Sequence, residues 1–501
     1  MKFNRRRFIA STLVAAPAVT FPAVIHSHET GQTTPDAKPL RIIHLVGDGM
    51  SLSTLSIANH FSQYARNRPL TIFQIQQQPA TAIALMDMRS LNSLVTDSAA
   101  ASSSWGSGSR VTNGALNWLP DGRNLRPLYA LFAEQGWKRG LVTTTEITHA
   151  TPAGFAATIS SRDKAELIAE QYLASKIDVL LGGGSKFFDP AKRKDKIDLV
   201  GSYRTSNYTT CQSTADLIHA PRDRRCLGLF ASSHLPYNID LMHDKKQRAL
   251  VPTLATMTQT AIDILGRESH FILQVESGRV DHACHCCDIP SAVHEVIALD
   301  EALEACLAYQ QKVPETLIVL TTDHGNGNPG LAGVGSNDGS GDGVMAHIQQ
   351  TRKSFSEILK TLGSSSTPEQ IRDRVRDCTA YKPSLERCKR FANYLQKKYP
   401  PLNDAMNSAN AQLGQLLAHY YGVGWSSSSH TSDFVPLIAT GPGAERFRGF
   451  VLNTDVFAHY TDLARIDYRN PKLPLLSEST PQADEVENIA DYLQPLDTLI
   501  A

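Results

Sequence analysis

Short apolar runs recur along the chain, and several break off at a residue that can bind a cation or carry a reaction. The runs cover residues 41–46, 81–86, 140–145, 177–181, 226–230, 270–275, 316–321 and 435–440. Apolar stretches of this length suit strands buried on both faces of a parallel sheet. Helical spacing fills the intervals. In 251–265, Leu254, Met257, Ala261 and Leu265 recur at helical period after Pro252. Residues 162–174 and 288–308 read the same way. Strand alternating with helix predicts an α/β fold, a three-layer sandwich whose central, mostly parallel sheet is covered by helices on both faces. At 42% hydrophobic and 20% charged residues, the chain has the apolar content to fill such a core. Lys+Arg and Asp+Glu both number 49, so no global basic field points to nucleic acid.

The residues just past the runs carry the chemistry. Ile42–Val46 leads into Gly47-Asp48-Gly49, and Leu94-Val95 into Thr96-Asp97-Ser98. Leu141–Thr145 leads into Glu146, then His149 and Thr151; Phe271–Val275 into Glu276 and Asp281; Leu317–Thr322 into Asp323-His324. Open α/β sheets bind ligands beyond the carboxyl ends of their strands. A single Asp there is an ordinary turn residue, but five such strand ends delivering carboxylates, imidazoles and hydroxyls to one rim predict a site. Asp281 and His285, four positions apart, face a common point from one helical turn. His430 stands just before the run 435–440. His nitrogen with Asp and Glu oxygen is zinc chemistry, and paired metal ions suit phosphoryl or peptidyl hydrolysis. Ser98 opens a helical stretch; it reads either as a nucleophile, since a helix N-terminus favours negative charge, or as a simple cap. His282 and His294 read as packing residues.

Taken in order, these stretches resemble the alkaline phosphatase family across nearly the whole chain after the N-terminal segment. The resemblance rests on Val46-Gly47-Asp48-Gly49-Met50, Val95-Thr96-Asp97-Ser98-Ala99-Ala100, Thr148-His149-Ala150-Thr151-Pro152, Val275-Glu276-Ser277-Gly278-Arg279-Val280-Asp281-His282, Thr322-Asp323-His324-Gly325 and His430-Thr431. It implies hydrolysis of small-molecule phosphate monoesters to an alcohol and inorganic phosphate, with Ser98 forming a phosphoserine. It implies one Zn2+ held by Asp281, His285 and His430, and a second by Asp48, Asp323 and His324. A third ion, Mg2+, would lie with Glu276, Thr151 and bridging Asp48, beside His149. Arg162 would grip phosphate, as a guanidinium fork suits two phosphate oxygens. The family also implies a homodimer. Asn326, Asn328 and Pro329 depart from better-known relatives.

Two other functions compete. A phosphodiesterase or phosphonate hydrolase can use the same metal scaffold, but Ser98 with Arg162 and Glu276 favours the monoesterase. A non-catalytic, exported metal- or phosphate-binding protein would be expected to lack a ligand or the nucleophile, and none is missing.

The remaining segments frame the catalytic region, 40–501. Residues 1–28, with Arg5, Arg6 and Phe8 ahead of an apolar stretch broken by Pro17 and Pro22, resemble a twin-arginine export signal. Residues 29–39 read as a linker. The mature chain is thus expected in the periplasm or outside the cell, with no stable membrane insertion. Residues 327–425 separate His324 from His430 as a loop and helical insertion, with a capping-box start at Thr367-Pro368-Glu369-Gln370. Residues 185–225 read as a smaller basic, solvated insertion. Cys211 with Cys226, and Cys378 with Cys388, are candidate disulfide pairs for an oxidising compartment. Cys284, Cys286 and Cys287 read as buried thiols or one disulfide partner.

Overall fold

Ten strands share one sheet in the computed structural model, which describes residues 41–333 and 341–476. The segments expected to be an export signal and linker, residues 334–340 of the expected loop, and residues beyond 476 lie outside the described residues. In chain order the strands are β1 (Arg41–Gly47), β2 (Ala82–Asp87), β3 (Lys138–Glu146), β4 (Val179–Gly183), β5 (Tyr208–Cys211), β6 (Arg225–Leu229), β7 (Phe271–Ser277), β8 (Thr316–Thr321), β9 (Gly325–Asn326), β10 (Gly330–Leu331), β11 (Val423–Gly424), β12 (His430–Thr431), β13 (Val435–Thr440) and β14 (Gly449–Leu452). The large sheet runs β14-β2-β13-β8-β1-β7-β3-β4-β6-β5. Two small ladders pair β10 with β11 and β12 with β9.

All eight apolar runs form strands of the large sheet. Neighbouring residues alternate between two cores, as a period of two requires. Ile43, Leu45, Leu273 and Ile318 face one core, where the helices Leu52–Arg66, Leu254–Leu265 and Ile289–Lys312 pack. Ile42, Val46, Ile272 and Leu317 face the other, closed by Leu128–Glu134, Ala150–Ala156 and Asp455–Leu463. This is the expected three-layer sandwich. Burying such an aliphatic side chain contributes roughly 1.5–3 kcal/mol, so the double-sided strands fix the register of the centre.

Two readings need correction. Leu94-Val95 is not a strand; the segment is irregular and reaches Ser98 as a loop. Its two apolar residues are too few for a ladder, and Leu94 is exposed. Residues 185–225 are not only a solvated surface: Tyr-Thr-Thr-Cys at 208–211 adds the outermost strand β5, with Tyr208 and Cys211 buried. Arg193, in the same stretch, is fully buried against Glu170 and Asp195. The eight cysteines are buried, free thiols here, with the Cys211 and Cys226 sulfurs in contact at 3.8 Å.

One strand runs against the rest. β13 is antiparallel to both neighbours, β2 and β8. Its entrance therefore lies at the rim where β1, β7 and β8 end. The described part of the insertion carries the helices Asp342–Gln350, Phe355–Leu359, Pro368–Thr379, Leu385–Leu395 and Ala409–Tyr421. The capping box at Thr367 and Gln370 is formed.

Candidate metal centre and active site

The rim is built from three adjacent central strands. β1 pairs on one side with β7 and on the other with β8, so Val46 lies in register with both Glu276 and Thr321. Asp48 and Asp323 follow the ends of β1 and β8, Glu276 is the last residue but one of β7, and all three are fully buried. Gly49 makes the turn possible. It has a φ of +66°, and a Cβ there would stand 2.5 Å from Asp281 Oδ1. Its N–H donates to Asp323 Oδ1 at 3.1 Å, tying the first motif to the fifth.

Ser98 is the first residue of the helix Ser98–Ser107. Asp97, not Ser98, is its cap, accepting from the Ala100 N–H at 2.9 Å. The Ser98 hydroxyl is thus left free for another partner, and it lies 3.3 Å from His324 Nε2. The same helix packs tightly on Ala150–Ala156. A Cβ on Gly106 would fall 1.9 Å from the Gly154 carbonyl oxygen, so only glycine lets the two backbones touch. Ser102 Oγ closes that contact by donating to the Thr151 carbonyl at 2.6 Å. The contact brings Ser98 and Thr151 to one side of the rim.

Three groups of side chains present atoms within 4.8 Å of one another: Asp48, Asp323 and His324; Asp281, His324 and His430; and Asp48, His149 and Glu276. His324 Nε2 lies 3.2 Å from Asp323 Oδ2 and 3.6 Å from Asp48 Oδ1. His285 joins the second group, with Nε2 3.2 Å from Asp281 Oδ2 and 3.1 Å from His430 Nε2. The His324 and His430 rings stack at 3.7 Å, so the two groups are contiguous. Of the nine ligand candidates named from the sequence, seven fall in these groups; His285 stands beside the second, and the Thr151 hydroxyl is buried near Glu276.

The electrostatics suit a cation. Both Asp48 carboxylate oxygens, Asp323 Oδ2 and Glu276 Oε1 are buried without a hydrogen-bond partner among the described residues, an arrangement that is costly unless charge compensates it. Burial, then the charges of Asp323, Asp281 and Glu276, drive the Asp48 pKa well above its ordinary value. Burial pushes Glu276 up to about 7, against the hydroxyls of Thr143 and Thr151. Burial and Asp281 push Asp323 up to about 6. Burial drops His324 to about 4, and burial with His324 drops His430 to about 3. Burial also acts to lower His285, but the Asp281 carboxylate outweighs it.

Two backbone carbonyls choose the tautomers. His285 Nδ1 donates to Ser428 O at 2.6 Å, and His430 Nδ1 to Thr96 O at 3.0 Å. In the neutral rings both Nε2 lone pairs then face the same point beside Asp281. Nitrogen and carboxylate donors of the kind zinc takes make up the first two groups, whereas the third joins the oxygens of Asp48 and Glu276 to a ring nitrogen of His149.

Arg162 reaches the site from the loop before Ala165–Ala174. Nη1 donates to Asp97 Oδ2 and Nη2 to His149 Nε2, each at 3.0 Å. Each Nη keeps a second hydrogen for an anion. Burial acts to raise the Asp97 pKa, but Arg162 and the N–H groups of Ala100 and Gly114 hold it low. His149 is therefore shared between the third group and Arg162. His282 is no ligand; its Nδ1 accepts from Arg279 Nη1 at 2.6 Å. His294 packs on Phe61.

Two residues around the site were not assigned from sequence. Asn326 donates Nδ2–H to Asp281 Oδ1 at 2.6 Å and to the Asp281 carbonyl at 3.2 Å. Its only signal was its place two residues after His324. His234 lies 4.4 Å from the His282 ring and accepts from the Glu146 N–H; no local pattern marked it.

Comparison with known proteins follows the same lines. The alkaline phosphatase family profile matches residues 40–466. Alkaline phosphatase 3 of Bacillus subtilis is 30% identical over 440 residues, covering 83% of this chain and 87% of that protein. The crystal structure of Thermus thermophilus alkaline phosphatase superposes with a TM-score of 0.81 at 32% identity, covering 87% of this chain and 93% of that one. The cold-active alkaline phosphatase of Shewanella sp. gives a TM-score of 0.71 at 26% identity, covering 85% and 100%. The chain belongs to the alkaline phosphatase family.

Proposed function

We propose that this protein is an exported phosphomonoesterase that hydrolyses small phosphate esters through a phosphoserine on Ser98. The observation that carries the reading is the 3.3 Å approach of Ser98 Oγ to His324 Nε2 at the junction of the two nitrogen-bearing groups. Zinc held by Asp281, His285 and His430, zinc held by Asp48, Asp323 and His324, and magnesium held by Asp48, Thr151 and Glu276 would together supply Lewis-acid stabilisation of the entering and leaving oxygens. The chain's own residues do the rest. Ser98 Oγ attacks phosphorus in line with the departing alkoxide, at the N-terminus of a helix whose dipole favours the charge. Arg162 holds two equatorial phosphate oxygens, and Asp97 keeps its guanidinium aimed. Water then cleaves the phosphoserine and frees Ser98.

Zinc-replete protein should turn over p-nitrophenyl phosphate far faster than its bis-ester. Chelation should remove that activity, and zinc with magnesium should restore it. Ser98→Ala should form no phosphoenzyme. Faster turnover of the bis-ester would favour the diesterase, and no turnover of either the non-catalytic binding protein.

The export reading rests on Arg5 and Arg6. No helix among the described residues is long and apolar enough to cross a membrane. A homodimer is supported by an apolar strip at one sheet edge, where Leu52, Ile83, Leu85 and Phe450 are each more than 40% exposed. Sedimentation showing only monomer at micromolar concentration would remove it.

A further inference from the structure

Among the described residues, strand β5 ends the sheet, pairs only with β6, and is four residues long. An edge of that kind is held weakly, because half of its backbone groups lack a ladder partner. Its last residue is Cys211. Parallel register sets Thr209 opposite Cys226 and Cys211 opposite Gly228. Residues 209 and 211 point to the same face, so the Cys211 and Cys226 side chains meet diagonally across the ladder. Their sulfurs lie 3.8 Å apart, and both residues are buried.

We propose that Cys211 and Cys226 are a disulfide-forming pair that staples the outermost strand to the sheet once the protein meets an oxidising thiol–disulfide couple. A disulfide needs about 2.05 Å between sulfurs, so each sulfur has to move by less than about 1 Å from its present 3.8 Å contact. Cys211 also differs in character from the other seven, including Cys226, whose thiol the contact with Cys211 and then burial push well above its ordinary value. Burial pushes the thiols of Cys284, Cys286, Cys287, Cys306, Cys378 and Cys388 up and leaves them inert. Cys211 alone is lowered, by its hydrogen bond with Cys226.

The chemistry balances as an exchange. When β5 opens, the Cys211 thiolate attacks one sulfur of an external disulfide, such as glutathione disulfide or a disulfide-carrying oxidoreductase, and one thiolate leaves. Cys226 then loses its proton and attacks Cys211 Sγ in the mixed disulfide, releasing the second thiol. The pair loses two electrons and two protons, and the external disulfide becomes two thiols. The covalent link closes the segment between positions 211 and 226, which includes the helix Thr214–His219. It should resist edge opening and proteolysis there.

The test uses the full chain. After incubation with glutathione disulfide, denaturation and alkylation should label six thiols rather than eight, and a non-reduced digest should yield a peptide joining 211 to 226. Dithiothreitol should lower the Tm of the oxidised protein by several degrees. Cys211→Ser and Cys226→Ser should abolish that shift, whereas Cys378→Ser should keep it. Turnover of Cys211→Ser should stay within about twofold of the parent, since the edge is five strands from β1. Eight labelled thiols after oxidation, a linked peptide involving other cysteines, or a dithiothreitol-sensitive Tm in the Cys211→Ser protein would each overturn the proposal. The digest reads the parent protein, so a variant that fails to fold leaves the test intact.

Discussion

The two halves of the metal centre are anchored by different means. Asp48, Glu276 and Asp323 stand at the ends of three neighbouring central strands locked by apolar side chains on both faces. Asp281 and His285 instead sit on a seven-residue helix, Arg279–His285, and His430 on the two-residue strand β12. What steadies this second half comes from the ends of the insertion. Asn326, at its start, binds Asp281, and Ser428, at its close, binds His285. The pairing of His430 with Asn326 across β9 and β12 clamps the two ends together. Sheet register thus builds the oxygen-rich half, and closure of the insertion builds the nitrogen-rich half.

The largest effect should separate the halves directly. Asp48 belongs to two of the three groups, so Asp48→Asn should lose more than one ion per chain and on the order of 10³-fold or more in turnover. His430→Ala should lose a single ion that excess zinc partly restores. Metal analysis beside turnover decides it, and equal losses in the two variants would erase the distinction.

A smaller effect should come from the clamp. Asn326→Ala should weaken zinc binding by roughly 10–100-fold, the usual scale for a residue that orients a ligand. Turnover at saturating zinc should change far less. Competition with a chelating dye measures the affinity; an unchanged value would make Asn326 a packing residue only.

The smallest concerns the seam between the catalytic helices and the insertion. Asp288 caps Ile289–Lys312 and accepts from the Phe355 N–H at 2.6 Å, so it ties the insertion down. Burial pushes its carboxyl up to about 7. A carboxyl raised in the folded state stabilises fully below its ordinary pKa and loses that contribution as pH rises through the folded value. The stability of the parent relative to Asp288→Asn should therefore fall between about pH 4 and 7, by at most about 4 kcal/mol. Thermal unfolding across that range reads it, and a difference that grows with pH would contradict the assignment.

Much of this was readable from residue order. The eight apolar runs became strands because double-sided burial leaves a continuous hydrophobic signature. Asp281 and His285 converge because helical period alone sets i and i+4 on one face. Strand β5 escaped notice because a four-residue, half-polar edge strand leaves no such signature. Asn326 and His234 escaped because their partners lie across the fold.

His430 marks the boundary between the two kinds of knowledge. Local pattern fixes strand, helix and ligand type, since each depends on neighbours within a turn or two of chain. It could not say that β13 runs antiparallel to the strands beside it. In a wholly parallel sheet, a residue just before a strand would lie at the rim opposite Asp48, Glu276 and Asp323. Reversing that one strand carries His430 to the ligand-bearing rim, and strand direction is settled by long-range pairing and the return path of the insertion, which no local stretch of sequence contains.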